Sequence, residues 1–125
     1  MTDPVLDSSA VIAMLRGEPG GDRVMAIGGA GTLCTVNLAE VVARLAKLDP
    51  ASARIRTALL PYRIVDFDEQ LAVDAGLLRA TTDAHGLSLG DRACLALARR
   101  EGAPVWTTDQ PWAKVDVGVD IVLLR

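Results

Sequence analysis

Short runs of aliphatic and β-branched residues alternate along this chain with segments whose apolar residues recur at helical spacing, which restricts it to few architectures. Pro4-Val5-Leu6 forms a first strand ending at Asp7, and Ser8 to Arg16 carries Val11, Ile12 and Leu15 on one helical face. Gly17 and Pro19 stop that helix. After Gly28-Gly29-Ala30-Gly31, Thr32 to Val36 reads as a second strand. Asn37 then opens a helix with Leu38, Val41, Val42 and Leu45 on one face, ending near Asp49-Pro50. A further helix is predicted over Ala51 to Leu60, before Pro61. Tyr62 to Phe67 is β-rich, and Asp68 to Thr82 returns to helical period through Leu71, Ala75 and Leu78. Ser88 opens a strong helix that ends at Gly102; Pro104 to Thr107 is a fourth strand. A short turn or helix follows, and Val119 to Leu124 is the last strand. Strands separated by helices predict βαβ units, hence an α/β fold whose central parallel sheet is covered on both faces. The order of the strands is not legible at this level.

The 125 residues make one domain, 1–125, without repeats or linkers. A chain of this size buries about two thirds of its unfolded surface and folds without a disulfide or structural metal. Mean hydropathy is high, +0.29, yet no apolar run reaches the roughly 20 residues of a membrane helix. The excess is expected to mark a surface covered by a partner or a second copy. Met1-Thr2-Asp3-Pro4 lacks the features of a signal peptide. Cys34, in a strand pattern, and Cys94, on an apolar helix face, are therefore expected to be packed free thiols in a reducing cytoplasm. His85 precedes Gly86 in a helix-end loop and is given no catalytic role. The net charge of −3, from 13 basic and 16 acidic residues, argues against binding nucleic acid by charge alone. That argument weakens if four of the acids belong to one metal site.

Four acids stand where an open α/β sheet forms its sites, beyond the carboxyl ends of the strands. Asp7 closes the first strand, Asp109 follows the fourth, and Glu40 and Asp91 are expected in helix first turns. Each also has a local explanation. Asp7 and Asp109 could be N-caps; Glu40 three residues after Asn37, and Asp91 three after Ser88, have capping-box spacing. Capping does not require all four at one sheet edge, however. Two carboxylates 4 Å apart repel by about 4 kcal/mol at an effective dielectric near 20, so a cluster calls for protons or cations. Oxygen donors without His or Cys suit Mg²⁺ or Mn²⁺. Such an ion can activate water for attack on a phosphodiester. No elbow motif surrounds Ser8 or Ser9, so serine catalysis is not expected.

Val-Leu-Asp-Ser-Ser-Ala at Asp7, Asn-Leu-Ala-Glu-Val-Val at Glu40, Leu-Ser-Leu-Gly-Asp-Arg-Ala-Cys-Leu-Ala-Leu-Ala at Asp91 and Val-Trp-Thr-Thr-Asp at Asp109, taken together, resemble the PIN-domain family. The resemblance is in particular to the VapC toxins of toxin–antitoxin pairs, and it covers nearly the whole chain. It implies a three-layer α/β/α fold and a Mg²⁺- or Mn²⁺-dependent endoribonuclease. It also implies a homodimer held in check by a VapB-type antitoxin. Asp7, Glu40, Asp91 and Asp109 match the family's acidic quartet, with Asp7, Asp91 and Asp109 as metal ligands and Glu40 as a holder or acceptor for water and its proton. Thr107 matches a small hydroxyl residue near the quartet; Ser9 and Asn37 are further supporting candidates. Pro111 stands where many relatives carry another Asp, so one metal position is the better supported. Trp112 stands where an aromatic is common and could stack a base, though its apolar surroundings favour packing. Arg92, Arg16 and Lys114 are candidate contacts to RNA phosphates.

Two other readings remain open from the residues. A phosphoacceptor receiver domain shares the length and parallel sheet, with Asp66 as its acceptor, but has no use for Glu40 and Asp91. A non-catalytic dimeric interaction module would keep all four acids as caps.

Overall fold

The computed structural model describes residues 2–125 and shows five strands and seven α-helices. The strands are β1 (Val5–Leu6), β2 (Thr32–Cys34), β3 (Arg63–Val65), β4 (Val105–Thr107) and β5 (Ile121–Leu123). All pair in parallel in the order β3-β2-β1-β4-β5. The chain moves outward from β1 through β2 to β3, then crosses back to place β4 on the other side of β1. The β1–β4 junction is thus the topological switch point, where neighbouring loops leave in opposite directions and open a crevice at the carboxyl edge.

Alternating residues feed two cores. Val5, Cys34 and Val105 pack toward helices α5 (Glu69–Leu77) and α7 (Leu89–Glu101). Their neighbours Leu6, Leu33 and Trp106 pack toward α1 (Ser8–Arg16), α2 (Gly21–Ala26), α3 (Thr35–Ala46) and α4 (Pro50–Ala58). This is the expected three-layer α/β/α arrangement. Both cysteines are free and buried, and Trp112 is packed into the α5–α7 core. No helix among the described residues is long and apolar enough to cross a membrane.

Local signals explain most boundaries. Asp68 caps α5 by accepting from the Leu71 amide at 2.8 Å, and Gly17 and Gly102 end α1 and α7 at φ of 65° and 64°. The Asp68–Thr82 expectation resolves into α5, a short α6 (Arg79–Thr82) and a 3-10 turn over Asp83–His85. Helix α2 was not legible, because six residues between glycines give too short a period. The second strand ends at Cys34, two residues earlier than expected, and α3 begins at Thr35 instead of Asn37. The Thr35 hydroxyl in this first turn accepts from the Phe67 amide at 3.0 Å.

Gly21 lies so close to α1 that a Cβ there would overlap the Ala13 carbonyl, whereas Gly76 on α5 faces open space. Gly21→Ala is expected to destabilise the protein by about 1–3 kcal/mol through overpacking. Gly76→Ala is expected to stabilise it by about 0.5–1 kcal/mol through helix propensity. Urea unfolding of the two variants checks the opposite signs.

Candidate metal and phosphodiester site

The switch point fixes the site. Asp7 is the residue after β1, and its amide donates to the Trp106 carbonyl of β4 at 2.9 Å. It occupies the N-cap position of α1 yet makes no capping hydrogen bond. The residue is 1% exposed, and its carboxylate is held from the side. Ser9 Oγ donates to Asp7 Oδ2 at 2.6 Å and Thr107 Oγ1 donates to the same oxygen at 2.9 Å. The Thr108 amide donates to Ser9 Oγ at 3.0 Å, and the Asp109 amide to Thr107 Oγ1 at 3.1 Å. Each hydroxyl carries one proton. Each accepts from one backbone amide and gives its proton to Oδ2, and the two hydroxyl oxygens lie 3.2 Å apart. Oδ1 is buried and has no partner.

Asp91 enters from the first turn of α7. Its capping-box role is real: Ser88 N donates to Asp91 Oδ2 at 2.9 Å, and Asp91 N donates to Ser88 Oγ at 3.2 Å. Asp109 follows β4 and caps nothing with its side chain. One carboxylate oxygen from each of Asp7, Asp91 and Asp109 lies within 4.8 Å of the others.

Glu40 stands beside this trio and is not part of the 4.8 Å group. Because α3 starts at Thr35, Glu40 lies in the second turn, which removes its capping-box explanation. Asn37 Nδ2 instead donates to Glu40 Oε1 at 2.9 Å and to the Gly90 carbonyl at 3.1 Å, bridging α3 to α7. A Cβ at position 90 would collide with the Glu40 carboxylate. Asp7, Glu40, Asp91 and Asp109 line one cleft together with Ser8, Ser9, Ile12, Ser88 and Arg44.

Burial pushes the Asp7 carboxyl up to about 6, against the pull of the Ser9 and Thr107 hydroxyls and with smaller upward pushes from Asp91 and Asp109. Burial also raises Asp91, opposed by its hydrogen bonds from Ser88 and reinforced by the charges of Asp109 and Glu40. A site that resists ionisation without a counter-charge is a site suited to a cation. Three converging oxygens, no nitrogen or sulfur donor, and an unpartnered Asp7 Oδ1 fit a hard divalent ion.

A family model described as the PIN domain matches residues 5–118. The chain belongs to the PIN-domain family. Solved structures with the same fold include a toxin–antitoxin complex from Klebsiella pneumoniae, at 19% identity and TM-score 0.76 over 98% of each chain. DNA-bound VapBC from Salmonella typhimurium aligns over 100% of both chains at 17% identity and TM-score 0.77. VapC20 from Mycobacterium tuberculosis, a sarcin–ricin loop cleaving toxin, aligns at 18% identity and TM-score 0.72 over 93% of this chain and 98% of its own. A search of curated protein sequences gave no match.

Within this PIN domain, Ser9 and Thr107 donate to Asp7 and Asn37 donates to Glu40. The three basic candidates do not line the cleft. Arg92 Nη1 donates to the Ala75 carbonyl at 3.0 Å. Arg16 ends α1, which runs from the acidic edge to the opposite one, and approaches Glu18 at 3.8 Å. Lys114 ends a 3-10 segment, Gln110–Lys114. Arg44 is the basic residue that sequence reasoning missed; its signal is the four-residue spacing from Glu40, which puts both on one helix face. Asp66 is exposed after edge strand β3, two strands from β1, which leaves the receiver reading without its pocket.

The folded-state pKa of Asp7 lies above the ordinary carboxyl value of 3.8, so its charge costs stability above pH 6. That cost fades as pH falls from about 6 to 4 and is absent below. Without divalent ions, Asp7→Asn is therefore expected to stabilise the protein by roughly 1–3 kcal/mol at pH 7.5 and to give no gain at pH 3.5. Urea unfolding in EDTA at the two pH values checks it.

Proposed function

We propose that this PIN domain is a VapC-type toxin: a metal-dependent endoribonuclease of the cytoplasm, restrained by a VapB-type antitoxin. The observation that carries the reading is the convergence of Asp7, Asp91 and Asp109 around the unpartnered Asp7 Oδ1. Those three residues would hold Mg²⁺ or Mn²⁺, with one ion better supported than two because Pro111 replaces a further acid. The ion, when bound, supplies Lewis-acid activation of water and neutralises charge on the phosphodiester. Ser9 and Thr107 fix the rotation of the Asp7 carboxylate so that Oδ1 is presented. Glu40 is anchored through Oε1 and keeps its other oxygen free to accept a proton from attacking water. RNA as the substrate class rests on the likeness to VapC toxins.

The partner reading is supported by apolar surface. Met14, Leu15, Met25, Leu59 and Leu60 line a groove between α1, α2 and α4, with Leu59 76% exposed. That groove suits an amphipathic antitoxin segment. Val73 and Leu77 on α5 and Leu89 on α7 are also exposed and suit a second copy in a homodimer. The alternative of an interaction module whose acids are only caps is disfavoured, since Asp7 and Asp109 make no capping bond and Glu40 lies too far along α3.

Total cellular RNA incubated with wild type and Asp91→Asn, with and without Mg²⁺, followed by end mapping, tests the reading. Asn retains an acceptor for the Ser88 amide, so the substitution removes charge while sparing the cap. Discrete new ends that need Mg²⁺, appearing roughly a hundredfold more slowly with the variant, are expected. Equal cutting by both proteins would sink the mechanism. Acid-labile phosphate on Asp66 after treatment with a small phosphodonor would favour the receiver instead.

A further inference from the structure

The acidic cleft poses an electrostatic problem for a polyanionic substrate. Four carboxylates line it, and a single divalent ion leaves an excess of negative charge at the place where a phosphodiester must come to rest. Among the nine residues that line the cleft, Arg44 is the one cation. It lies one turn beyond Glu40 on α3, the spacing at which an acid and a base commonly pair. Yet no acid among the described residues lies within ion-pair distance of Arg44. Glu40 Oε1 is engaged by Asn37 and its carboxylate is packed against Gly90. Arg44 itself is exposed. Its guanidinium is therefore a solvated, unneutralised fork of donors at the rim of a site built for phosphodiester chemistry, with geometry that matches phosphate oxygens two at a time.

We propose that Arg44 is the substrate-binding residue of this site, holding a backbone phosphate of single-stranded RNA beside the Asp7–Asp91–Asp109 cluster. The proposal rests on the ribonuclease reading. It moves the phosphate contact from Arg92, whose Nη1 donates to the Ala75 carbonyl and which does not line the cleft, to the opposite helix of the cleft. A rim contact of this kind positions the chain and reads no base, so it raises affinity evenly across sequences.

The test compares wild type, Arg44→Gln and Arg44→Lys on a fluorescent single-stranded RNA. Binding is measured by anisotropy in Ca²⁺ over a range of salt, and cleavage in Mg²⁺. Arg44→Gln is expected to weaken binding about five- to tenfold and to flatten the plot of log K against log salt by about 0.7. KM should rise by a similar factor, with kcat within about threefold of wild type. Arg44→Lys should keep most of the salt slope, and Mn²⁺ affinity should be the same for all three. An unchanged salt slope and KM in Arg44→Gln would overturn the proposal while leaving the nuclease reading intact. A wild type that cuts no RNA would strike at the nuclease reading instead. The anisotropy slopes would then still decide Arg44, and a wild type with no salt-dependent RNA binding would overturn it.

Discussion

Carboxylates within 4.8 Å of one another repel by several kcal/mol unless protons or cations intervene, and here one of them is almost wholly buried. That repulsion is what the neighbouring structure is arranged to sustain. Asp7 cannot relax toward solvent, because its backbone is tied into the sheet through Trp106. It cannot rotate freely either, because two hydroxyls converge on a single oxygen. Backbone amides beyond β4 set the direction of those hydroxyls, so the geometry of the loop is transmitted to one carboxylate atom. The result is a site that is unfavourable when ionised and empty and favourable when a cation binds, a stability cost of the kind functional sites carry.

The sheet order explains why the cost falls where it does. Only at the β1–β4 junction do successive connections leave toward opposite faces, opening room at the carboxyl edge. Asp7 and Asp109 follow the two strands of that junction. Helices α3 and α7, which come from opposite layers, meet above it through the Asn37 bridge to Gly90. Glu40 and Asp91 are thereby delivered from two helices to one cleft, and the buried Asn37 fixes their separation.

Much of this was legible in the residues. The period of the apolar positions located every strand, and the rule that sites lie beyond carboxyl ends gathered the four acids before strand order was known. What local pattern could not supply was the start of α3. An Asn-x-x-Glu spacing is equally compatible with a cap and with a mid-helix pair, and the structure, with α3 starting at Thr35, shows the second. The same limit applies to the basic residues near the acids. Arg92 adjoins Asp91 in sequence, but successive helical residues point about 100° apart, whereas Arg44 shares a face with Glu40 at four residues. At Asp91 both readings proved true together, since a capping-box carboxylate also faces the cleft.

Whether a divalent ion keeps the buried Asp7 carboxylate ionised is decided by the protein's thermal stability. The most direct measurement is the melting temperature of wild type and Asp7→Asn, each titrated with Mn²⁺ at pH 7.5. A ligand bound to the folded state alone raises stability by RT ln(1 + [L]/Kd), about 2.7 kcal/mol at a hundred times Kd. Wild type is expected to gain several degrees as Mn²⁺ rises, while Asp7→Asn starts higher in EDTA and stays flat. Parallel curves for the two proteins, or no response of wild type to Mn²⁺, would contradict it.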